Sequence, residues 1–222
     1  MIGDGAFIGV ALGLGLGARH ALEPDHLAAV SVLAADRPGG RRGVLIGALW
    51  GVGHTVALLA CGLAVTVAAV RIPARLSELL EIVVATMLVS LGARAIYLGT
   101  LAPGRDGWIA PVGPIQHLHL APRALTIRPL LVGAVHGLAG SGALVAVATA
   151  ALPTPAAQVA FLGLFGLGSI AAMSAISGFA GWPLARLARR PTAARCLVGI
   201  AGASSVVLGI LWALSPVQRL LR

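Results

Sequence analysis

Charged residues are scarce in this chain of 222 residues, and lysine is missing altogether. Only 10% of the residues are charged, whereas soluble domains carry about 25%. All sixteen basic residues are arginine. A P-loop uses a lysine to reach the phosphates, and a Schiff base needs a lysine amine. ATP hydrolysis by a P-loop and cofactors bound to lysine are therefore excluded.

Cysteine is almost as rare, because Cys61 and Cys196 are the two in the chain and both lie in or beside apolar stretches. Without a CxxC motif, a redox or thiolate-metal role has little support. The net charge of +9 does not indicate a nucleic-acid partner, since the arginines are scattered between apolar stretches instead of forming one basic face. No basic residue precedes the first apolar stretch, so a cleavable signal peptide is not expected.

Apolar residues dominate what remains, at 58% of the chain with a mean hydropathy of +0.96. A membrane-spanning helix needs about 20 such residues, and six stretches meet this length. We therefore predict an all-α integral membrane protein with six transmembrane helices. The predicted spans are residues 7–33, 44–70, 79–101, 129–152, 156–180 and 197–214.

The arginines predict the orientation of these spans. The connections 36–43, 102–128 and 181–195 hold ten arginines, whereas the amino terminus, 71–77, 151–155 and the tail hold four. Cytoplasmic loops carry the excess of basic residues. The chain is thus predicted to cross the cell (cytoplasmic) membrane several times, with both termini outside and the lipid bilayer as its surroundings.

The two halves of the chain resemble each other. Residues 17–22 (GARHAL) match 133–138 (GAVHGL), and residues 50–54 (WGVGH) match 165–169 (FGLGS), at nearly the same offset. A half with three spans must enter the membrane in the opposite direction to the first, which is typical of secondary transporters with a central substrate site. We predict two inverted three-helix repeats, 1–101 and 129–222, joined by the cytoplasmic connection 102–128.

The most informative segment is 20–26 (HALEPDH), which places ionisable groups inside the first predicted span. On insertion scales such groups cost about 2.5–3.5 kcal/mol each at the centre of a bilayer. On an ideal helix His20 and His26 are about 240° apart around the axis. Pro24 removes a helical hydrogen bond, and a local break would let His20, Asp25 and His26 converge on a cation. The alternative is a kinked helix whose histidines bind neighbouring helices.

Four further sets of polar residues are candidates. His54 follows Gly51 and Gly53, which allow close helix packing, and is predicted to bind a metal or to orient a residue that does. The alternative is a lone buried histidine that bonds to a neighbouring residue. His136, which corresponds to His20 in the repeat, is predicted either to contact the metal or to pack as a polar core residue. His117 and His119 form an H-x-H pair in the long connection, which either receives or releases metal or is an ordinary solvated loop. Glu78 and Glu81 are predicted to begin span three, where the positive end of the helix stabilises negative charge.

Imidazole nitrogens with one or two carboxylates and no thiolate suit nickel, cobalt, zinc or iron. They disfavour copper(I), which prefers sulfur, and magnesium, which prefers oxygen. The candidate metal residues are His20, Glu23, Asp25, His26, His54 and His136.

Residues 20–27 (HALEPDHL) resemble the HAxDADHI signature of the nickel/cobalt transporter family, with Glu-Pro in place of Asp-Ala. Residues 53–56 (GHTV) resemble the second signature of that family. Residues 136–141 (HGLAGS) are similar to its shorter six-span relatives, the urease-accessory and high-affinity nickel-transport membrane proteins. The resemblance implies that His20, Asp25 and His26 select the metal with support from His54, and that span one runs inward from outside.

These observations predict a secondary transporter, not an enzyme, that takes up Ni²⁺ or Co²⁺ as its substrate and holds no resident cofactor. Urease or hydrogenase maturation proteins are possible partners. An exporter of the same fold, or an accessory membrane protein that does not transport, would carry the same motifs. A thiol-disulfide electron carrier would need a cysteine in each half, and the equivalent positions are His20 and His136.

Overall fold

The computed structural model describes residues 4–36, 39–66, 73–97, 99, 122–139, 152–187 and 190–221. All seven elements in these ranges are helices, which confirms the predicted all-α class. They are α1 (Asp4–His20), α2 (Pro24–Asp36), α3 (Gly40–Thr66), α4 (Ala74–Ile96), α5 (Pro122–Ala139), α6 (Pro155–Leu187) and α7 (Pro191–Leu220).

Four of these helices, α3, α4, α6 and α7, are long and apolar enough to cross a membrane. Large apolar side chains such as Leu12, Val56 and Ile200 are exposed on the helix surfaces, where a soluble protein would carry polar groups. The chain is therefore a helical membrane protein. The count of six spans stays a prediction, because residues 67–70, 98, 100–101 and 140–151 of the predicted spans lie outside the described ranges.

The helix ends differ from the predicted spans. Helix α6 continues to Leu187 and α7 begins at Pro191, so most of the predicted connection 181–195 is helical. Helices α3 and α5 likewise begin inside the predicted connections 36–43 and 102–128. Apolar stretches mark only the hydrocarbon part of a helix, and arginine is readily accommodated in the turns beyond it. Hydropathy therefore underestimates helix length.

Helices α1 and α6 pack in parallel. Gly13 faces Phe161, and four residues later in both helices Gly17 faces Phe165. The backbone of Gly17 lies against that of Phe165 with no room for a side chain. On the other side of this crossing, Gly168 of α6 fits against the backbone of Leu14. Small residues permit this close approach between helices within a bilayer.

Helices α5 and α3 form an equivalent crossing. Gly133 lies against the backbone of Trp50, and Gly53 against that of Leu130, again with no space for a Cβ atom. These contacts pair the positions that the internal repeat equates with the α1–α6 contacts. Helices α3 and α6 then run antiparallel to each other, since Gly43 faces Ser177 while Gly51 faces Ile170.

Helices α4 and α7 also cross through matching positions. Gly92 packs against the backbone of Gly202, and Gly209 packs against Ala85. Gly92 precedes Gly209 by 117 positions, as Ala85 precedes Gly202. This third correspondence is hard to recognise in the sequence, because it consists of single small residues within apolar stretches.

The predicted interaction of Glu78 and Glu81 with the positive end of their own helix is wrong. Neither residue lies in the first turn of α4. Instead, both carboxylates bind the guanidinium of Arg219 on α7, at 3.2 and 2.9 Å. Sequence position alone could not reveal this partner, which is 141 residues away from Glu78.

Candidate metal centre

The first predicted span is divided into two helices at its polar segment, as Pro24 led us to expect. Helix α1 ends at His20, and α2 begins at Pro24. The amides of Leu22 and Glu23 bond to carbonyls three residues earlier, which tightens the last turn before the break. Pro24 needs no amide partner at the start of the new helix. Asp25 lies in the first turn of α2, where a carboxylate is favoured by the helix dipole.

Five buried ionisable side chains lie together at this break. All are at most 5% exposed: His20, Asp25, His26, His54 and His136. They come from α1, α2, α3 and α5, so four helices meet at the cluster. Buried ionisable groups at such density are characteristic of functional sites in membrane proteins. We name these five residues the histidine cluster.

His26 occupies the middle of the histidine cluster. Its ring centroid lies 4.5 Å from that of His20, 5.3 Å from that of His54 and 4.3 Å from that of His136. The ligand atoms of His20, His26 and His54 lie within 4.8 Å of one another, and so do those of Asp25, His26 and His136. Each of these two groups has the composition and the spacing to hold a metal ion.

Two carboxylates orient three of the imidazoles. Asp25 Oδ1 accepts hydrogen bonds from the backbone amide of His26 at 2.9 Å and from its Nδ1 at 3.1 Å. Asp25 Oδ2 accepts a bond of 2.8 Å from Nε2 of His136. Glu23, whose side chain is 39% exposed, lies 3.0 Å from Nδ1 of His20. The bonds to Asp25 place a proton on Nδ1 of His26 and on Nε2 of His136, and the contact with Glu23 favours a proton on Nδ1 of His20.

The opposite ring nitrogens have no such partner. Nε2 of His20, Nε2 of His26, Nδ1 of His136 and both nitrogens of His54 are buried without a hydrogen bond to any described residue. A buried acceptor without a partner costs about 1–3 kcal/mol. Several in one place therefore fit a cation that binds nitrogen, and a carboxylate behind the imidazole is the usual companion of a histidine metal ligand.

Two aromatic side chains line the histidine cluster. Trp50 is fully buried and stacks on His26 with 5.4 Å between ring centroids, and Phe165 lies 5.4 Å from His20. In the sequence, Trp50 and Phe165 stand out only as markers of the repeat. The available signal was their correspondence in the repeat. Trp50 lies in the span after that of His20, and Phe165 lies in the span after that of His136.

The structure thus brings together five of the six candidate residues, and the sixth, Glu23, lies at the edge of the cluster in contact with His20. Two further contacts pack α3 against its neighbours: Thr55 donates a hydrogen bond of 3.3 Å to the carbonyl of Gly166, and Gly137 fits against the backbone of His54. His117 and His119 lie outside the described residues.

The fold and the cluster define a class: a helical membrane protein with an imidazole-rich polar centre at a broken helix. The chain is 30% identical over 205 residues to the urease accessory protein UreH of Bacillus sp. (strain TB-90), an alignment that covers 90% of this chain and 87% of that protein. The chain therefore belongs to the family of UreH.

No family model matches the chain, and no solved structure matches it. The relationship to UreH agrees with the predicted likeness to urease-accessory membrane proteins and with the prediction that the chain is not an enzyme. Membership of the nickel/cobalt transporter family in the narrower sense stays a prediction.

Proposed function

We propose that the chain is a secondary transporter that carries a divalent transition-metal ion, Ni²⁺ or Co²⁺, across the cytoplasmic membrane into the cell. The observation that carries this proposal is the set of buried imidazole nitrogens without partners at the break between α1 and α2. A dication would satisfy these nitrogens in exchange for its own water shell. Irregular backbone at membrane depth is tolerated where it lines such a site.

In this proposal His20, His26 and His54 bind the ion through the nitrogens that face the interior of the cluster. Asp25 contacts Nδ1 of His26, and Glu23 contacts Nδ1 of His20. A carboxylate at this nitrogen fixes the tautomer and makes the opposite nitrogen a better metal ligand. Asp25 also supplies negative charge next to the bound dication. His136 completes the polar surface through its bond to Asp25.

The donor atoms of the histidine cluster limit which metal ions can be the substrate. Imidazole-rich sites suit nickel, cobalt, zinc and iron, and disfavour magnesium and calcium. The resemblance of residues 20–27 to the nickel/cobalt signature selects Ni²⁺ or Co²⁺ from this group. The relative is named for a role accessory to urease, so urease or hydrogenase maturation proteins are the proposed recipients of the ion.

The transport mechanism that we propose uses two inverted halves, 1–101 and 129–222, with six spans in all. The matched crossings of α1 with α6 and of α5 with α3 support this arrangement, as does the antiparallel packing of α3 and α6. The ion enters from outside and leaves toward the cytoplasm as the halves rock about the cluster. The membrane potential contributes about 2.3 kcal/mol per charge for each 100 mV.

Purified protein in liposomes that contain a metal-sensitive dye provides the test. We expect an inside-negative potential to drive Ni²⁺ or Co²⁺ into the vesicles, and His20→Ala or Asp25→Ala to slow this flux at least about tenfold. Cys196→Ser, an exposed position on α7, is the matched control and should retain the flux. Undiminished flux in both cluster variants would contradict the proposed site.

The name of the relative favours a second candidate, a membrane accessory protein that binds the ion without moving it. The same liposomes separate the two: an accessory protein binds Ni²⁺ in detergent but produces no dye signal. An exporter would give flux in liposomes and would lower, instead of raise, the nickel content of cells that express it.

A further inference from the structure

The histidine cluster contains two groups of possible ligands instead of one. Asp25, His26 and His136 satisfy the same spacing as His20, His26 and His54, and His26 belongs to both groups. We propose that the transported ion occupies two overlapping positions in turn, the first formed by His20, His26 and His54 and the second by Asp25, His26 and His136. This inference rests on the proposed function.

His26 is placed to serve both positions. Its ring lies 4.5 Å from that of His20 on one side and 4.3 Å from that of His136 on the other. Two dications that share one imidazole would repel each other strongly in a site of low dielectric constant. The two positions therefore exclude each other, and the protein should hold one ion at a time.

The two positions differ in how their donors are engaged. In the first, Nε2 of His20, Nε2 of His26 and both nitrogens of His54 have no partner among the described residues, so an ion can bind without breaking a hydrogen bond. In the second, Asp25 is bonded to both His26 and His136. An ion that enters there must replace these bonds, and gains direct contact with a carboxylate in return.

The positions also differ in which half of the chain supplies them. The first uses residues from α1, α2 and α3 only, whereas the second recruits His136 from α5. His20 lies beside Phe165 and His136 beside Trp50, so each imidazole has an aromatic neighbour from the opposite half. A shift from the first position to the second thus brings the ion into contact with the second half of the chain, while the halves rock about the same cluster.

Equilibrium binding of Ni²⁺ to purified protein tests this inference, with X-ray absorption used to count the imidazole rings around the metal. The wild type is expected to bind one ion through three imidazoles. His54→Gln should still bind one ion, at the second position, with two imidazoles and an affinity about 10–100-fold lower. His26→Gln should lose binding at both positions, and Cys196→Ser should behave as the wild type.

His136→Gln separates binding from transport. We expect it to bind one ion through three imidazoles with an affinity within about threefold of the wild type, yet to slow flux into liposomes at least about tenfold. Because this variant leaves Asp25 without its partner, the double variant Asp25→Asn with His136→Gln serves as a second probe. It carries no unpaired carboxylate and should also bind one ion through three imidazoles.

Three results would overturn the inference: two ions bound at once by the wild type, loss of all binding in a folded His54→Gln variant, or normal flux in His136→Gln. Each leaves the proposed function standing. In contrast, a wild type that binds neither Ni²⁺ nor Co²⁺ would contradict the proposed function itself. Monodisperse elution of every variant on size exclusion separates these outcomes from misfolding.

Discussion

Asp25 and His136 are joined by a hydrogen bond of 2.8 Å, although 111 positions separate them in the chain. Both side chains are almost fully buried, and the bond connects α2 with α5. Its geometry gives one carboxylate two imidazole partners, since Asp25 also holds His26. Asp25 is therefore the residue through which the two halves of the chain share one polar centre.

Asp25→Asn should weaken binding of Ni²⁺ by about 10–100-fold without changing the volume of the side chain. The amide is uncharged, so it orients His26 and His136 less well and leaves a bound dication without its nearest negative charge. Titration of purified protein measures this effect. An affinity equal to that of the wild type would show that the carboxylate has no part in binding.

Glu23→Gln should have a smaller effect in the same direction. Its carboxylate contacts only His20 in the cluster and is 39% exposed, so water screens its charge. We expect the affinity to fall by less than in Asp25→Asn, with less than about a tenfold change. The two variants titrated side by side give this order, and the reverse order would contradict the assignment of Asp25 as the central carboxylate.

Ni²⁺ and Co²⁺ should stabilise the purified protein, whereas Mg²⁺ should not. A ligand present at 100 times its Kd stabilises the folded state by about 2.7 kcal/mol. Magnesium prefers an all-oxygen shell, which the histidine cluster does not offer. Melting curves in detergent measure the shift. His26→Gln is the control and should melt at the same temperature with and without Ni²⁺; a shift in this variant would indicate binding elsewhere.

Gly17→Ala should destabilise the protein, and Gly15→Ala on the same helix should not. A Cβ atom at Gly17 would collide with the backbone of Phe165, whereas one at Gly15 meets nothing within 4 Å. Overpacking of this kind costs about 1–3 kcal/mol. Melting temperatures of the two variants provide the comparison. Gly133→Ala, against Trp50, should resemble Gly17→Ala, and equal stability of all three would argue against tight crossings.

The sequence was most informative where the relevant residues are close together in the chain. The segment 20–26 predicted both the helix break and the convergence of His20, Asp25 and His26, because Pro24 acts on its own turn of helix. The same reasoning left the role of His136 open. Its partner Asp25 is distant in sequence, and a histidine within small residues also suits a polar packing role.

The rest could not be predicted, for two physical reasons. An aromatic residue in an apolar helix looks like ordinary core, so the position of Trp50 against His26 gave no signal of its own. Ion pairs between residues distant in sequence also leave no local pattern. For this reason Glu78 and Glu81 were predicted to interact with their own helix end, whereas they bind Arg219. Whether the cluster binds a metal stays a prediction for the experiments above.

The bond between Asp25 and His136 also has a consequence for biosynthesis. A ribosome completes α2 one hundred residues before it reaches His136, so the first half meets the membrane while its most buried carboxylate still lacks one of its two imidazole partners. Burial of an incompletely paired acid in hydrocarbon is costly. The first half is therefore stably inserted only once the second half has been synthesised and has packed against it.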